Sequence, residues 1–309
     1  MDDLKSKTEW IKSKAFELGF SLFGCSKASR LDEEAERLKE WLGLDCHGKM
    51  GYMENHFEKR VDPRKLVEGT QSVISLGYNY YNPSKQKDAT APKISMYAYG
   101  RDYHKVVKKK LKKLCDAIAK EFGEFKHRNF VDSAPILERD WAKKSGIGWV
   151  GKHTLVINPK MGSYFFLAEI LVDFEMEYSK PIKDYCGTCT KCIDACPTDA
   201  IDEKGYLMDG SKCISYLTIE LKDEALPESF KGKMENWAYG CDICQDVCPW
   251  NRFSTEHNEA DFLPQKDLLE MTKEDWENMD ETTFDSLFYN SAVKRTGYSG
   301  LKRNVGFLS

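Results

Sequence analysis

Residues 186–197 run Cys186-Gly187-Thr188-Cys189-Thr190-Lys191-Cys192-Ile193-Asp194-Ala195-Cys196-Pro197, and residues 241–249 repeat the second half of that spacing as Cys241-x-x-Cys244-x-x-x-Cys248-Pro249. With Cys213 between them, eight of the 11 cysteines lie in this stretch, and only Cys25, Cys46 and Cys115 precede it. Three thiolates at intervals of three residues can each grip one corner of a four-iron cube, while the cysteine before each proline is displaced to reach a second cube. Paired zinc ribbons have no use for Cys192 or for two Cys-Pro endings. Eight thiolates of this kind make two 4Fe-4S clusters, and the change in cysteine density sets a domain boundary near residue 180.

The run resembles that of bacterial two-cluster ferredoxins, whose topology implies that Cys186, Cys189, Cys192 and Cys248 hold one cluster and Cys213, Cys241, Cys244 and Cys196 the other. Such clusters relay single electrons and offer no place for an organic substrate. The 180 residues upstream exceed what a carrier needs, so they are expected to house a cofactor and a substrate fed by the clusters.

The 309 residues carry 46 Lys and Arg against 50 Asp and Glu, a net charge of −4, so a nucleic-acid partner would have to be held by a local basic patch. The opening Met1-Asp2-Asp3-Leu4-Lys5 lacks an apolar signal region, and no stretch reaches the ~18 apolar residues of a membrane span; the chain reads as cytoplasmic, with no membrane partner. Leu4, Ile11, Ala15 and Leu18, then Leu31, Ala35, Leu38 and Leu42, predict two amphipathic helices. Ser72 to Tyr78 predicts a buried strand, residues 82–92 an exposed loop, and Ile94 the start of another strand. Val107, Leu111, Leu114, Ile118 and Phe122 predict a helix whose lysine-rich outer face reads as solvated. A short strand at 129–131, a helix through Ala142 and a core strand within 162–173 complete an α/β reading. Gly146 to His153 has neither the dinucleotide nor the P-loop order of glycines. Cys25, Cys46 and Cys115 read as packing thiols.

Several motifs outside the clusters carry a closer resemblance: His47-Gly48-Lys49-Met50-Gly51-Tyr52-Met53, Arg60-Val61-Asp62-Pro63, Tyr99-Gly100-Arg101-Asp102-Tyr103-His104, Val131-Asp132-Ser133-Ala134-Pro135, Gly146-Ile147-Gly148-Trp149, Gly162-Ser163-Tyr164 and Cys213-Ile214-Ser215-Tyr216-Leu217-Thr218. Together they are similar to the epoxyqueuosine reductases over nearly the whole chain. The resemblance implies a nitroreductase-like, cobalamin-binding α/β (α+β) domain over 1–180, a ferredoxin-like domain over 181–255, and a C-terminal helical segment over 256–309 with no room for the helical repeats of longer members. It implies reduction of epoxyqueuosine to queuosine in tRNA, the last step of queuosine biosynthesis, by a monomer that draws electrons from an unidentified donor. The cobalamin is expected base-off, since Asp45-Cys46-His47-Gly48-Lys49-Met50 misses the D-x-H-x-x-G pattern that supplies a histidine ligand.

Carried over residue by residue, Asp132 is implied as the proton donor, with Arg60, Ser95, Asp132, Arg139, Val156, Leu167 and Ser215 at the cobalamin site and Lys152 as a further cofactor contact. For Asp132 to be a usable acid, burial would have to raise its pKa toward neutrality. His47 and His153 read equally well as structural or functional. The basic candidates for RNA are Lys294, Arg295, Lys302, Arg303, Arg252 and the lysine-rich helix. Two other readings remain open here: a related cobalamin enzyme acting as a reductive dehalogenase, and a two-cluster electron-transfer protein.

Overall fold

The computed structural model describes residues 2–265 and 267–308. The apolar run predicted near residue 72 is β2 (Ser72–Asn79), and the one predicted within 162–173 is β7 (Phe165–Val172). They pair antiparallel from Ser72↔Val172 to Asn79↔Phe165 and form the centre of a four-stranded sheet. β1 (Leu22–Lys27) flanks β2 and β4 (His127–Phe130) flanks β7, both antiparallel, giving the order β1-β2-β7-β4. This is an α+β arrangement, with helices covering an antiparallel sheet.

Two-residue alternation decides which face each side chain enters. Ile74, Leu76 and Tyr78 of β2, with Ala168, Ile170 and Val172 of β7, pack beneath α1 (Asp2–Glu17) and α5 (Tyr103–Phe122). Ile11 and Ala15 of α1 and Val107, Leu111, Leu114 and Ile118 of α5 are buried there, as their spacing predicts. Leu4 and Phe122 depart from that expectation: both lie beyond the sheet and stay partly exposed, and Phe122 instead meets the Trp10 ring edge-on. The opposite face, including Val73 and Leu171, packs on Trp141 of α6 (Glu138–Lys144) and on Leu31, just before α2 (Asp32–Gly43). Two short helices, α3 (Phe57–Val61) and α4 (Pro63–Leu66), follow, α4 being capped by Asp62. A hairpin of β5 (Trp149–Val150) and β6 (Val156–Ile157) then leads into β7.

The strand expected at Ile94 exists as β3 (Lys93–Ile94), but its partner is β8 (Trp237–Tyr239), a parallel pairing outside the main sheet. Residues 91–98 therefore share a core with the cysteine-rich segment: Ala91, Ile94 and Ala98 pack with Ile219, Ala238 and Tyr239. Onto the same core fold α9 (Lys273–Asn278), α10 (Glu281–Leu287) and α11 (Gly297–Leu308), through Trp276, Phe284, Leu301 and Val305. The loop expected over 82–92 is exposed only in its middle, since Asn82 and Ala91 anchor its ends in the interior. Among the described residues, no helix is long and apolar enough to cross a membrane.

Candidate active site and cluster loops

Each Cys-rich run wraps a single helical turn, α7 (Lys191–Asp194) in the first and α8 (Ile243–Asp246) in the second. The last cysteine of each run leaves its own group. Cys192 lies within electrostatic reach of Cys248, Cys186 and Cys189, and Cys248 of Cys186 and Cys189. Cys241 lies within reach of Cys213 and Cys196, and Cys244 of Cys241 and Cys213, with Cys192 of the other group also in reach. Trp149 Nε1 donates to Cys186 Sγ at 3.5 Å and the Ala200 amide to Cys196 Sγ at 3.4 Å, the kind of N–H···S contact that tunes a cluster.

The second thiol group forms one wall of a cleft of about 1180 Å³, solvent mouth included. Cys196, Cys213, Cys241 and Cys244 line it together with Ser95, Arg139, Val156, Leu167 and Ser215, five of the residues implied as cofactor contacts. Close backbone approach makes the cleft possible. Gly240 has φ +68°, and a Cβ there would sit 2.5 Å from the Ser95 Cβ. Gly162, at φ +73°, would place a Cβ 2.0 Å from Asn251 Oδ1, so its turn can seat the loop after Cys248. The Ser95 hydroxyl donates to Asp242, whose other carboxylate oxygen accepts from the Met96 amide at 2.7 Å. Arg139 Nη1 donates to the Thr154 carbonyl at 2.7 Å.

His153 also lines the cleft, and its ring is buried. Nδ1 accepts from the Leu155 amide at 3.1 Å, which puts the proton of the neutral ring on Nε2, and Nε2 has no partner in the structure. Burial keeps the ring neutral, its pKa pushed down to about 4. An unmet donor on a buried wall is what a cofactor amide or phosphate oxygen would satisfy. His47 differs: it packs on Trp41 and pairs with Glu54 at 2.8 Å, away from the cleft.

Three implied contacts, Lys152, Arg60 and Asp132, do not line the cleft. The Lys152 ammonium donates to the Cys189 carbonyl at 3.0 Å and so braces the first cluster loop. Arg60 is buried and donates to the Tyr52 carbonyl at 2.9 Å. Lys152, implied as a cofactor contact, is instead taken up by the Cys189 carbonyl.

Asp132 stands at the mouth. It follows β4 at φ +45°, a left-handed conformation costing a non-glycine residue about 1 kcal/mol. Its amide donates to Glu138 Oε1 at 2.7 Å, and its side chain, 68% exposed, accepts from Tyr103 Oη at 2.5 Å. Tyr97, which lines the cleft, has Tyr103 and Asp132 as charged or ionisable neighbours, so cleft and mouth are continuous. Surrounding protein raises the cost of ionising Asp132, but the hydrogen bond from Tyr103 and the positive charges of His104, 3.7 Å away, and of Arg295 outweigh it. The carboxyl is held below its usual range. The expectation of a raised pKa is thus corrected: burial is only partial, and cationic neighbours win. The protons sit next door. His104 has its pKa lifted to about 9 by Asp102 and Asp132 against the cost of burial, and burial beside Asp132 lifts Glu138 to about 8.

The basic candidates also sort themselves. Arg295 forms a two-pronged pair with Glu220 at 2.8 Å and lies within electrostatic reach of Asp132 and Tyr52, at the mouth. Arg303 instead donates to the carbonyls of Leu221, Asp223 and Leu217, a structural clamp. Lys110 of the lysine-rich face pairs with Glu259. Cys25 and Cys115 are buried, their thiols pushed up to about 11 and about 12 by desolvation, as inert packing groups are.

A double set of four thiols beside a large apolar cleft, with an acid at its mouth, defines an iron–sulfur oxidoreductase with a separate cofactor and substrate chamber. A family model described as epoxyqueuosine reductase QueG, DUF1730 matches residues 60–133, and one described as a 4Fe-4S double cluster binding domain matches residues 185–251. The epoxyqueuosine reductase of Cellulophaga algicola is 56% identical over 308 residues, covering 100% of both chains, and that of Escherichia coli is 42% identical, covering 98% of this chain and 80% of its own. The crystal structure of the Streptococcus thermophilus enzyme superposes with a TM-score of 0.87 at 30% identity, covering 97% of this chain and 80% of that one. An epoxyqueuosine reductase solved with an epoxyqueuosine-modified stem loop of tyrosine tRNA superposes with a TM-score of 0.85 at 29% identity, over the same shares. The chain belongs to the epoxyqueuosine reductases, and it is an oxidoreductase.

Proposed function

We propose that this protein reduces the epoxide of epoxyqueuosine in tRNA to the alkene of queuosine, with cobalamin in the cleft, and that its residues 1–180, 181–255 and 256–309 are the cobalamin, two-cluster and helical units of that machine. The observation that carries the reading is the cleft itself: the second thiol group and five implied cofactor residues line it together, and Asp132 stands near its mouth. Cys186, Cys189, Cys192 and Cys248 hold the outer cluster; Cys196, Cys213, Cys241 and Cys244 hold the one against the cleft.

The cleft fits a large, amide-rich cofactor. Val156, Leu167 and Phe165 offer apolar wall, and the unmet His153 Nε2 proton offers a donor, with Arg139 and Ser215 nearby. When bound, cobalamin supplies strongly reducing chemistry at cobalt, refilled one electron at a time from the clusters. Arg60 supports this arrangement indirectly, by holding the Tyr52 carbonyl near the mouth, and Lys152 by holding the loop of Cys189.

The reaction breaks both C–O bonds of the epoxide, consumes two electrons and two protons, and releases water. Asp132, ionised at rest, takes a proton from its protonated neighbours and hands it to the departing oxygen, which would otherwise leave as an alkoxide. Tyr103 fixes the carboxyl, while His104, held by Asp102 at 2.8 Å, keeps a positive charge 3.7 Å from it. Arg295 at the mouth is placed to meet an anionic substrate such as the RNA backbone. A Bacillus subtilis relative has been seen with its catalytic aspartate loop swung out of the active site, which supports reading the strained Asp132 turn as a moving part.

The deciding test is anaerobic turnover of the reduced, cobalamin-loaded protein on an epoxyqueuosine-containing tRNA, followed by nucleoside analysis. Queuosine in the product is expected. Reduction of the free nucleoside at the same rate as the tRNA-borne one would overturn the tRNA reading.

A further inference from the structure

Behind the Asp132 turn lie two carboxyls that no step so far has used. Glu169 is in the middle of β7, between Ala168 and Ile170 and opposite Ser75 and Phe130 on the neighbouring strands. It is fully buried on the face covered by α6, and neither carboxyl oxygen has a hydrogen-bond partner in the structure. The ionisable groups it meets are Glu138 and Asp132, both acids. Glu138, at the start of α6, meets Glu169 from β7, Asp132 from the loop after β4, and His104 from α5; its Oε1 accepts the Asp132 amide. An apolar residue would pack a central strand better than an uncompensated acid, and adjacent carboxyls in a water-poor interior cannot all ionise. The pair therefore stores protons within one residue of the turn that presents Asp132.

Resting on Asp132 as the proton donor, we propose that Glu138 and Glu169 are positioning residues that form a proton-holding carboxyl pair: Glu138 latches the Asp132 turn by its amide, and the pair resupplies the proton that Asp132 gives to the substrate. The balance requires such a store. Each turnover takes two protons along with the two electrons that the oxidoreductase already receives, and Asp132, held below its usual range, rests ionised and carries none of its own. The pair gives one proton, by way of the Asp132 carboxylate, to the departing oxygen and keeps the other; solvent supplies the second proton of the turnover and refills the pair after product leaves.

Desolvation raises both groups, Glu169 well above the carboxylate range and Glu138 to about 8, so the store is full at neutral pH and empties as pH rises through that value. The test uses holoenzyme with both clusters and cobalamin, reduced in advance and saturated with epoxyqueuosine-containing tRNA stem loop. Glu138→Gln keeps an acceptor for the Asp132 amide but cannot release a proton. It is expected to lower kcat about tenfold or more, leave KM and cobalamin binding unchanged, and remove the break near pH 8, leaving only that of His104 near 9. Glu169→Gln replaces the acid that lowers Glu138, so Glu138 holds its proton more tightly and the first break moves to higher pH. Profiles of both variants that superimpose on the parent's would overturn the proposal. Infrared spectroscopy provides a readout independent of turnover: a protonated-carboxyl band at neutral pH that weakens in Glu169→Gln and persists in Asp132→Asn supports the store, and its absence from the parent protein refutes it. Failure of the Asp132 reading would appear separately, as normal turnover by Asp132→Asn.

Discussion

His104 Nε2 lies 3.7 Å from Asp132 Oδ2, and Asp102 Oδ1 holds the opposite ring nitrogen at 2.8 Å. An imidazole between two carboxylates favours its charged form, and here that preference exceeds the cost of burying it, lifting the pKa from 6.5 to about 9. Because the folded value is the higher one, the contribution to stability is complete below pH 6.5 and disappears as pH rises through about 9. His104→Gln is therefore expected to lower the unfolding midpoint in urea at pH 6, with the deficit, on the order of 1–3 kcal/mol, vanishing by about pH 10. A deficit independent of pH would show that packing against Tyr103, not charge, is what His104 contributes.

Asp132→Asn keeps the size of the side chain but cannot pass on a proton. Clusters, cobalamin and tRNA should bind as in the parent, because neither thiol group nor the cleft wall includes this residue. Turnover should fall by roughly 10²–10⁴, the range for losing a general acid. Steady-state rates together with the corrinoid spectrum check both halves of the expectation; near-normal turnover would return Asp132 to a turn residue capping nothing but its own loop.

The crossed thiol groups make Cys248 a neighbour of Cys192 in space although 55 residues separate them in sequence. Cys248→Ala is expected to damage the outer cluster while the one against the cleft persists. Iron content and the paramagnetic spectrum of the reduced variant distinguish the two centres, and selective loss of the Cys213-containing one would reverse the assignment.

The cysteine spacing was legible, since three thiolates at intervals of three residues suit three corners of a cube, while the crossing came with the likeness to two-cluster ferredoxins. The central strands were legible too, β2 and β7 being long apolar runs, whereas β1, Leu22–Lys27, gives no such signal. Partnership was not legible. Ile94 reads as a strand start, but nothing in its own neighbourhood says that Trp237–Tyr239 lies beside it. Lys152 and Arg60 read as cofactor contacts, yet the Cys189 and Tyr52 carbonyls claim them. Glu169 was hidden for a related reason: a single acid within Phe165-Phe166-Leu167-Ala168-Glu169-Ile170 looks like the polar side of a strand, until the fold buries both faces. His153 follows Gly146, Gly148 and Gly151, and loops that let backbone approach closely tend to border ligands, so its place was the one local sign of its role.

Arg303 and Arg295 stand eight residues apart and predict opposite outcomes. The Arg303 guanidinium bonds the carbonyls that end the segment after Cys213, at 2.8 Å to Leu221 and 2.7 Å to Asp223, and partial burial lowers its pKa. Removing it strands those acceptors. Arg303→Ala should cost about 1.5–3 kcal/mol of stability, as charged hydrogen bonds do, and leave the salt dependence of tRNA binding unchanged. Arg295, about half exposed and at the mouth beside Tyr52 and Asp132, is placed to exchange Glu220 for a phosphate. Each phosphate neutralised releases condensed counterions, so Arg295→Gln should weaken tRNA binding most at low salt and flatten the plot of log affinity against log salt by about 0.7–0.9. Titrations of a fluorescent stem loop at several salt concentrations read that slope directly. An unchanged slope in Arg295→Gln, or a flattened one in Arg303→Ala, would exchange the two roles and move the RNA path from the Asp132 mouth toward the end of α11.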